Sequence, residues 1–173
     1  MPTHKKTAPS HAWIAFGGNQ GDVRNAFKSA RKNIAEHPDC KLLHSSLLYQ
    51  TPPLGPAGQA DYLNAVVAIS TYLEPLNLLA ILQDIERIHG RIRHEHWGPR
   101  TLDLDILAYD DLHLQSHTLT LPHSQLHLRQ FVLKPLCDMN PQWLHPSIKK
   151  NASELLQSLL DSGEEPLESG SPW

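Results

Sequence analysis

Cysteine is scarce: the chain has two in 173 residues, Cys40 and Cys137, and neither belongs to a CxxC pair. That excludes a disulfide framework and a thiolate zinc module, and suits thiols kept in a reducing compartment. No apolar run approaches the roughly 20 residues that a membrane helix needs, so no membrane partner is expected. The opening MPTHKKTAPS has no hydrophobic stretch behind it, and a cytoplasmic location is therefore expected. Excess positive charge is missing too. A formal charge of −3 and a pI near 6.4 argue against a general binder of nucleic acid or membrane surface, leaving charge recognition to local clusters. Aromatics make up only 6%, with no RNP-type run of the kind RNA-binding sheets use, so no nucleic-acid partner is expected. The familiar nucleotide loops are also absent. GGNQGD at residues 17–22 follows neither the P-loop nor the GxGxxG pattern.

Histidine is plentiful, at twelve residues. His123 and His127 have the spacing of one helical face, but no third ligand at a familiar spacing completes a zinc set. At 173 residues the chain amounts to one domain, able to bury roughly 70% of its unfolded surface.

Periodicity supplies the elements. AWIAFG (12–17) predicts a buried strand running into a glycine turn. Val23, Ala26, Phe27, Ala30 and Ile34 recur at helical spacing, with Asp22 as cap and Pro38 beyond the end. KLLHSSLLYQ (41–50) predicts a second strand, and the alternation of Leu63, Ala65, Val67 and Ile69 a third. Pro75 opens a helix that Gly90 closes. TLDLDILAY (101–109) is the fourth strand. The order strand, helix, strand, strand, helix, strand is that of an α+β ferredoxin-like βαββαβ sandwich. A hairpin arm after Asp111, a brief helix near residue 135 and a last helix in NASELLQSLL (151–160) follow. Residues 1–160 are expected to be one domain and 161–173 a loose tail.

Positive charge gathers in RIRHEHWGPR (91–100): Arg91, Arg93 and Arg100 beside Trp97. On the strand that follows, Leu102, Leu104 and Ile106 point one way and Asp103 and Asp105 the other, with Cα atoms about 6.5–7 Å apart. A solvated edge strand and a solvated helix end would show the same residues. Carboxylates for Mg²⁺ beside guanidinium groups for phosphate oxygens are, however, the equipment of phosphoryl transfer.

Four stretches together resemble the 6-hydroxymethyl-7,8-dihydropterin pyrophosphokinases of folate biosynthesis. RIRHEHWGPRTLDLDIL (91–107) matches that family's most specific signature, and TPPLGPAGQADYLNAV (51–66) its pterin loop and following strand. FGGNQGD (16–22) is similar to its opening turn, and LPHSQLHLRQFVLKPL (121–136) to its closing segment. The resemblance implies transfer of a diphosphoryl group from ATP to the pterin's hydroxymethyl oxygen, with release of AMP. It implies that Asp103 and Asp105 hold two Mg²⁺ ions, that Arg91 and Arg93 lie on a mobile loop reaching the phosphates, and that Trp97 covers the pterin. Arg100, Glu86, Ile106, His123 and Arg129 would serve the ATP side. Thr51, Pro52 and Leu54 would meet the polar edge of the ring, Asn64 its amide-like edge, and Tyr62 and Phe131 its two faces. Gly18, Gln50 and Ser124 depart from the family's usual serine, arginine, and proline or aromatic. The partners expected are ATP and the pterin, acted on by a monomer.

Overall fold

The computed structural model describes residues 6–53, 57–90 and 101–173. The first strand, β1 (Ser10–Gly18), buries alternate residues, with Ala12, Ile14 and Phe16 on one face. Helix α1 (Val23–Glu36) starts where the Asp22 carboxylate accepts the Asn25 N–H at 3.2 Å, satisfying a donor that has no partner within the helix. Its apolar stripe is Val23, Ala26, Phe27, Ala30 and Ile34, all buried. Strands β2 (Cys40–Ser45), β3 (Tyr49–Thr51) and β4 (Tyr62–Thr71) lead to α2 (Pro75–Ile88), whose exit passes through Gly90 at φ 76°. Strand β5 (Asp103–Tyr109) precedes a hairpin of β6 (Leu114–Gln115) and β7 (Thr120–Leu121). Helices α3 (Gln130–Met139) and α4 (Ala152–Asp161) complete the order, the latter opened by a reciprocal cap between Asn151 and Glu154.

The main sheet is antiparallel, ordered β2-β4-β1-β5, with β3 alongside β4 beyond β2. This is the ferredoxin-like arrangement that the element order predicts. One face packs Ile14, Phe16, Val67, Leu104 and Ile106 against α1 and α2. The other sets Val66, Leu107 and Ala108 against Val132, Leu133 and Leu136 of α3 and Leu155 of α4. With both faces covered, β4 is buried continuously from Asn64 to Ile69, beyond the single face that its alternation predicts. At the β1–β5 pairing the register shifts between Trp13 and Ile14, so Leu107 and Ala108 both turn toward α3.

Two expectations need correction. The strand predicted over 41–50 is split, because Ser46 leaves the ladder. Its N–H donates to the Val66 carbonyl and its hydroxyl oxygen accepts the Val66 N–H, both at 2.9 Å. The end of the chain is also docked rather than loose. The Trp173 ring lies 5.6 Å from Phe16 and 5.8 Å from Phe27, its indole N–H donates to Ser46 O at 2.7 Å, and Arg31 covers it at 3.9 Å. Such wrapping is a tertiary effect that local composition does not report. Among the described residues no helix is long and apolar enough to cross a membrane.

His145, 4% exposed, is buried beneath Trp143 and beside His127. Its Nδ1 accepts the N–H groups of Ser147 and Ile148 at 3.1 Å each. Burial, then the neighbouring His127 and His113, lower its pKa from the ordinary 6.5. The unfolded chain therefore takes up this proton first. Stability is complete above about pH 6.5 and declines as pH falls through the lower folded value. His145→Asn keeps an acceptor near Nδ1 but cannot titrate. Its urea midpoint should fall less than the parent's between pH 7.5 and pH 5.5; equal slopes would remove His145 as the cause.

Candidate active site

A cavity of about 260 Å³ opens between the sheet and α3. Its floor is a row across three strands: Asp103 of β5 pairs with Gly17 of β1, which pairs with Asn64 of β4. One step along, Asp105 pairs with Ala15. Hydrophobic alternation sends Leu102, Leu104 and Ile106 to the core and turns both carboxylates to this cavity. Ala15 and Gly17 are small, so the carboxylates and the Asn64 amide face one another over open floor. A Cβ built on Gly17 would stand 3.7 Å from Asn64 Oδ1, which is ordinary contact but occupies floor.

The amide side is held firmly. Asn64, 6% exposed, donates from Nδ2 to Thr51 Oγ1 at 2.7 Å. Thr51 pairs with Tyr62 across β3 and β4, and Pro52 and Tyr62 line the same wall. Asn19 of the glycine turn donates to Gln59 Oε1 at 3.2 Å and to Ala60 O at 3.0 Å. The Asn19 amide thus ties the glycine turn to the residues just before β4.

Opposite stand Phe131 and Arg129, the guanidinium carbon 5.5 Å from the Phe131 ring centroid. His123 is tied by its N–H to Leu107 O at 2.8 Å and accepts the Gln125 N–H at Nδ1 at 3.1 Å. Burial and then the Arg129 charge lower its pKa, while Asp103 pulls the other way. With the pKa lowered and Nδ1 serving as an acceptor, the neutral ring carries its proton on Nε2.

Of the residues that the sequence nominates, Thr51, Pro52, Tyr62, Asn64, Asp103, Asp105, His123, Arg129 and Phe131 line this one cavity. Ile106 does not. It is 2% exposed within the core, on the face of β5 opposite the aspartates. Glu86 is likewise 2% exposed and lies beneath the sheet, accepting the Leu104 N–H at 3.0 Å. That bond ties α2 to the strand that carries the aspartates. Leu54, Arg91, Arg93, Trp97 and Arg100 fall outside the described residues. Ala15, Gly17, Leu107 and Val132 line the cavity without having been nominated. For Ala15 and Gly17 the signal was the alternation of small residues with Ile14 and Phe16.

The departures have local accounts at two positions. A Cβ on Gly18 would come within 2.6 Å of Thr101 O, so glycine lets the entry to β5 approach β1. Gln50 donates to Asp61 Oδ2 at 3.0 Å, holding the two strands together in the manner open to an arginine. Nothing in the structure explains Ser124.

Two carboxylates on one strand face are hard oxygen donors, which suit Mg²⁺ bound jointly with substrate phosphates. Among the described residues no cluster of three or more histidine, cysteine or carboxylate side chains suits a metal, which leaves no protein-only cage.

The family model for 7,8-dihydro-6-hydroxymethylpterin-pyrophosphokinase (HPPK) matches residues 13–141. The chain belongs to this family. It is 41% identical over 150 residues to the 2-amino-4-hydroxy-6-hydroxymethyldihydropteridine pyrophosphokinase of Haemophilus influenzae, covering 87% of this chain and 93% of that one. The Pseudomonas aeruginosa protein of the same name is 40% identical over 155 residues, covering 90% and 95%. The HPPK-DHPS of Plasmodium falciparum, solved with pteroate, superposes with a TM-score of 0.70 at 15% identity over 93% of this chain and 44% of that one. That likeness shows the shared fold.

The Glu86 bond makes a prediction. Glu86→Leu leaves the buried Leu104 N–H without its acceptor and should lower unfolding free energy by about 1–3 kcal/mol. Glu86→Gln, which keeps an oxygen, should lose less. Equal losses in chemical denaturation would mean that the Leu104 bond is not what Glu86 contributes.

Proposed function

We propose that this chain is a folate-pathway pyrophosphokinase, moving a diphosphoryl group from ATP to the hydroxymethyl group of 6-hydroxymethyl-7,8-dihydropterin. The observation that supports the reading is the row Asp103–Gly17–Asn64, which brings carboxylate and amide side chains to one cavity. Family membership gives that cavity its reaction.

On this reading the pterin lies between Tyr62 and Phe131, its amide edge on Asn64 and its remaining edge on the Thr51–Pro52 segment with Leu54 beyond. The Thr51 hydroxyl orients Asn64 by accepting from its amide, so that Asn64 Oδ1 can face the ring. Arg129 and His123 take the nucleotide side, and Asp103 and Asp105 hold Mg²⁺, two ions on the family's pattern. When bound, the metal neutralises charge on the ATP phosphates. The pterin hydroxyl oxygen bonds to the β-phosphorus in line with the bridging oxygen it displaces, and AMP leaves. The protein's part is positioning and charge balance. Arg91, Arg93, Arg100 and Trp97 keep the phosphate, nucleotide and pterin roles that the family resemblance implies.

The test is a nucleotide product analysis with purified protein, Mg-ATP and the pterin. AMP should appear only when all three are present. ADP would mean transfer of a single phosphoryl group and would overturn the mechanism. Asp105→Ala should fold normally and lose about 10²-fold or more in turnover. AMP production near the parent rate in that variant would remove the metal role of the pair.

A further inference from the structure

The two stacking walls of the pterin belong to different elements: Tyr62 opens β4, where it pairs with Thr51 of β3, while Phe131 rides on α3. Something must hold these two apart at the thickness of a flat ring. One bond spans them. Tyr49 of β3, 2% exposed and paired with Asn64, donates its hydroxyl to Asp138 Oδ2 of α3 at 2.6 Å. Burial and the Asp138 carboxylate push the phenol's pKa well above its ordinary value, which keeps it a donor at any working pH.

Residues 165–173 clasp the same joint from outside. Gln130 of α3 donates to Glu165 O at 2.8 Å. Farther on, Leu48 and Ser171 exchange N–H···O bonds of 2.8 and 2.9 Å, adding a bridge to the open side of the β2–β3 edge. Gly170 lies so near Tyr49 that a Cβ there would sit 2.9 Å from the ring's Cζ. Only a residue without a side chain permits this approach to the carbon that carries the bonded hydroxyl. Trp173 then anchors the segment between Phe16, Phe27 and Arg31.

We infer that Tyr49 and Asp138, clasped by the 170–173 segment, form a latch that sets the spacing of the two pterin walls and so governs affinity for the pterin but not for the nucleotide. This rests on the pyrophosphokinase reading. Tyr49 and Asp138 are positioning residues. Neither lines the cavity, yet Tyr49 lies two residues before Thr51 and Asp138 seven after Phe131 on the same helix.

Pterin and Mg-ATP binding would be measured separately by titration calorimetry, and both KM values by AMP release. Tyr49→Phe keeps the ring under Gly170 and removes only the hydroxyl. It should weaken pterin binding and raise pterin KM on the order of five- to tenfold, with Mg-ATP affinity within about twofold. Asp138→Asn retains an acceptor oxygen and should stay near the parent, whereas Asp138→Leu and Trp173→Ala should resemble Tyr49→Phe. Ile34→Val, a core change on α1, supplies a destabilised control that should leave pterin affinity alone. Unchanged pterin affinity in Tyr49→Phe, or an equal loss for both ligands, would overturn the latch while leaving the enzyme's function intact. A parent protein that binds no pterin would overturn the functional reading and the latch together.

Discussion

Everything in this molecule hangs on the register of β1 between β4 and β5. In an antiparallel ladder a slip of one residue exchanges the two faces of a strand. Here such a slip in β5 would drive Asp103 and Asp105 into the core beside Phe16 and Leu82, and turn Leu104 and Ile106 toward the cavity. Burying two carboxylates without partners is prohibitive, and exposing the leucine and isoleucine forfeits their burial as well. The apolar pattern that stabilises the fold and the acidic pattern that equips the site are therefore one pattern. Glu86 strengthens it from below by holding the Leu104 N–H.

The cavity exists because the sheet's second face is only partly covered. Helices α3 and α4 close over Val66, Leu107 and Ala108, and the cover gives way where β1 carries Ala15 and Gly17. Larger side chains at those two positions would fill the gap with core. The same economy appears at Gly18 and Gly170, where missing Cβ atoms let Thr101 and Tyr49 come close. Small residues in this chain mark places where backbone or ligand must approach.

Legibility in the sequence divides along physical lines. Elements set by local periodicity could be read directly: α1 with its Asp22 cap, α2 between Pro75 and Gly90, and the alternating β5. The inward and outward sets on β5 followed from that alternation alone. Residues such as Asn64, Tyr62 and Phe131 have no local signature, and only their joint match to a family pattern brought them together. The misreadings concern contacts distant in sequence. Ser46 breaks its strand through Val66, twenty residues on, and Trp173 docks against Phe16 despite a tail of polar composition. Glu86 and Ile106 match a nucleotide pattern by position, and both side chains are buried and do not line the described cavity.

Charge in the cavity explains why a mildly acidic chain can still serve a polyphosphate substrate. Among the described lining residues, two carboxylates stand against one guanidinium, since burial and Arg129 keep His123 neutral. A bare triphosphate would meet net repulsion there. A divalent cation reverses the sign, because it answers the aspartates and the phosphates at once. On the proposed reading metal and nucleotide would therefore bind most favourably as a unit, each supplying the charge that the other needs. The pterin wall carries no comparable charge. On the proposed reading Asn64, Thr51 and the two rings would read a neutral, flat molecule by hydrogen bonds and stacking, contacts that weaken as the walls move. The two halves of the cavity thus depend on different physics, charge on the β5 side and spacing on the β3–α3 side.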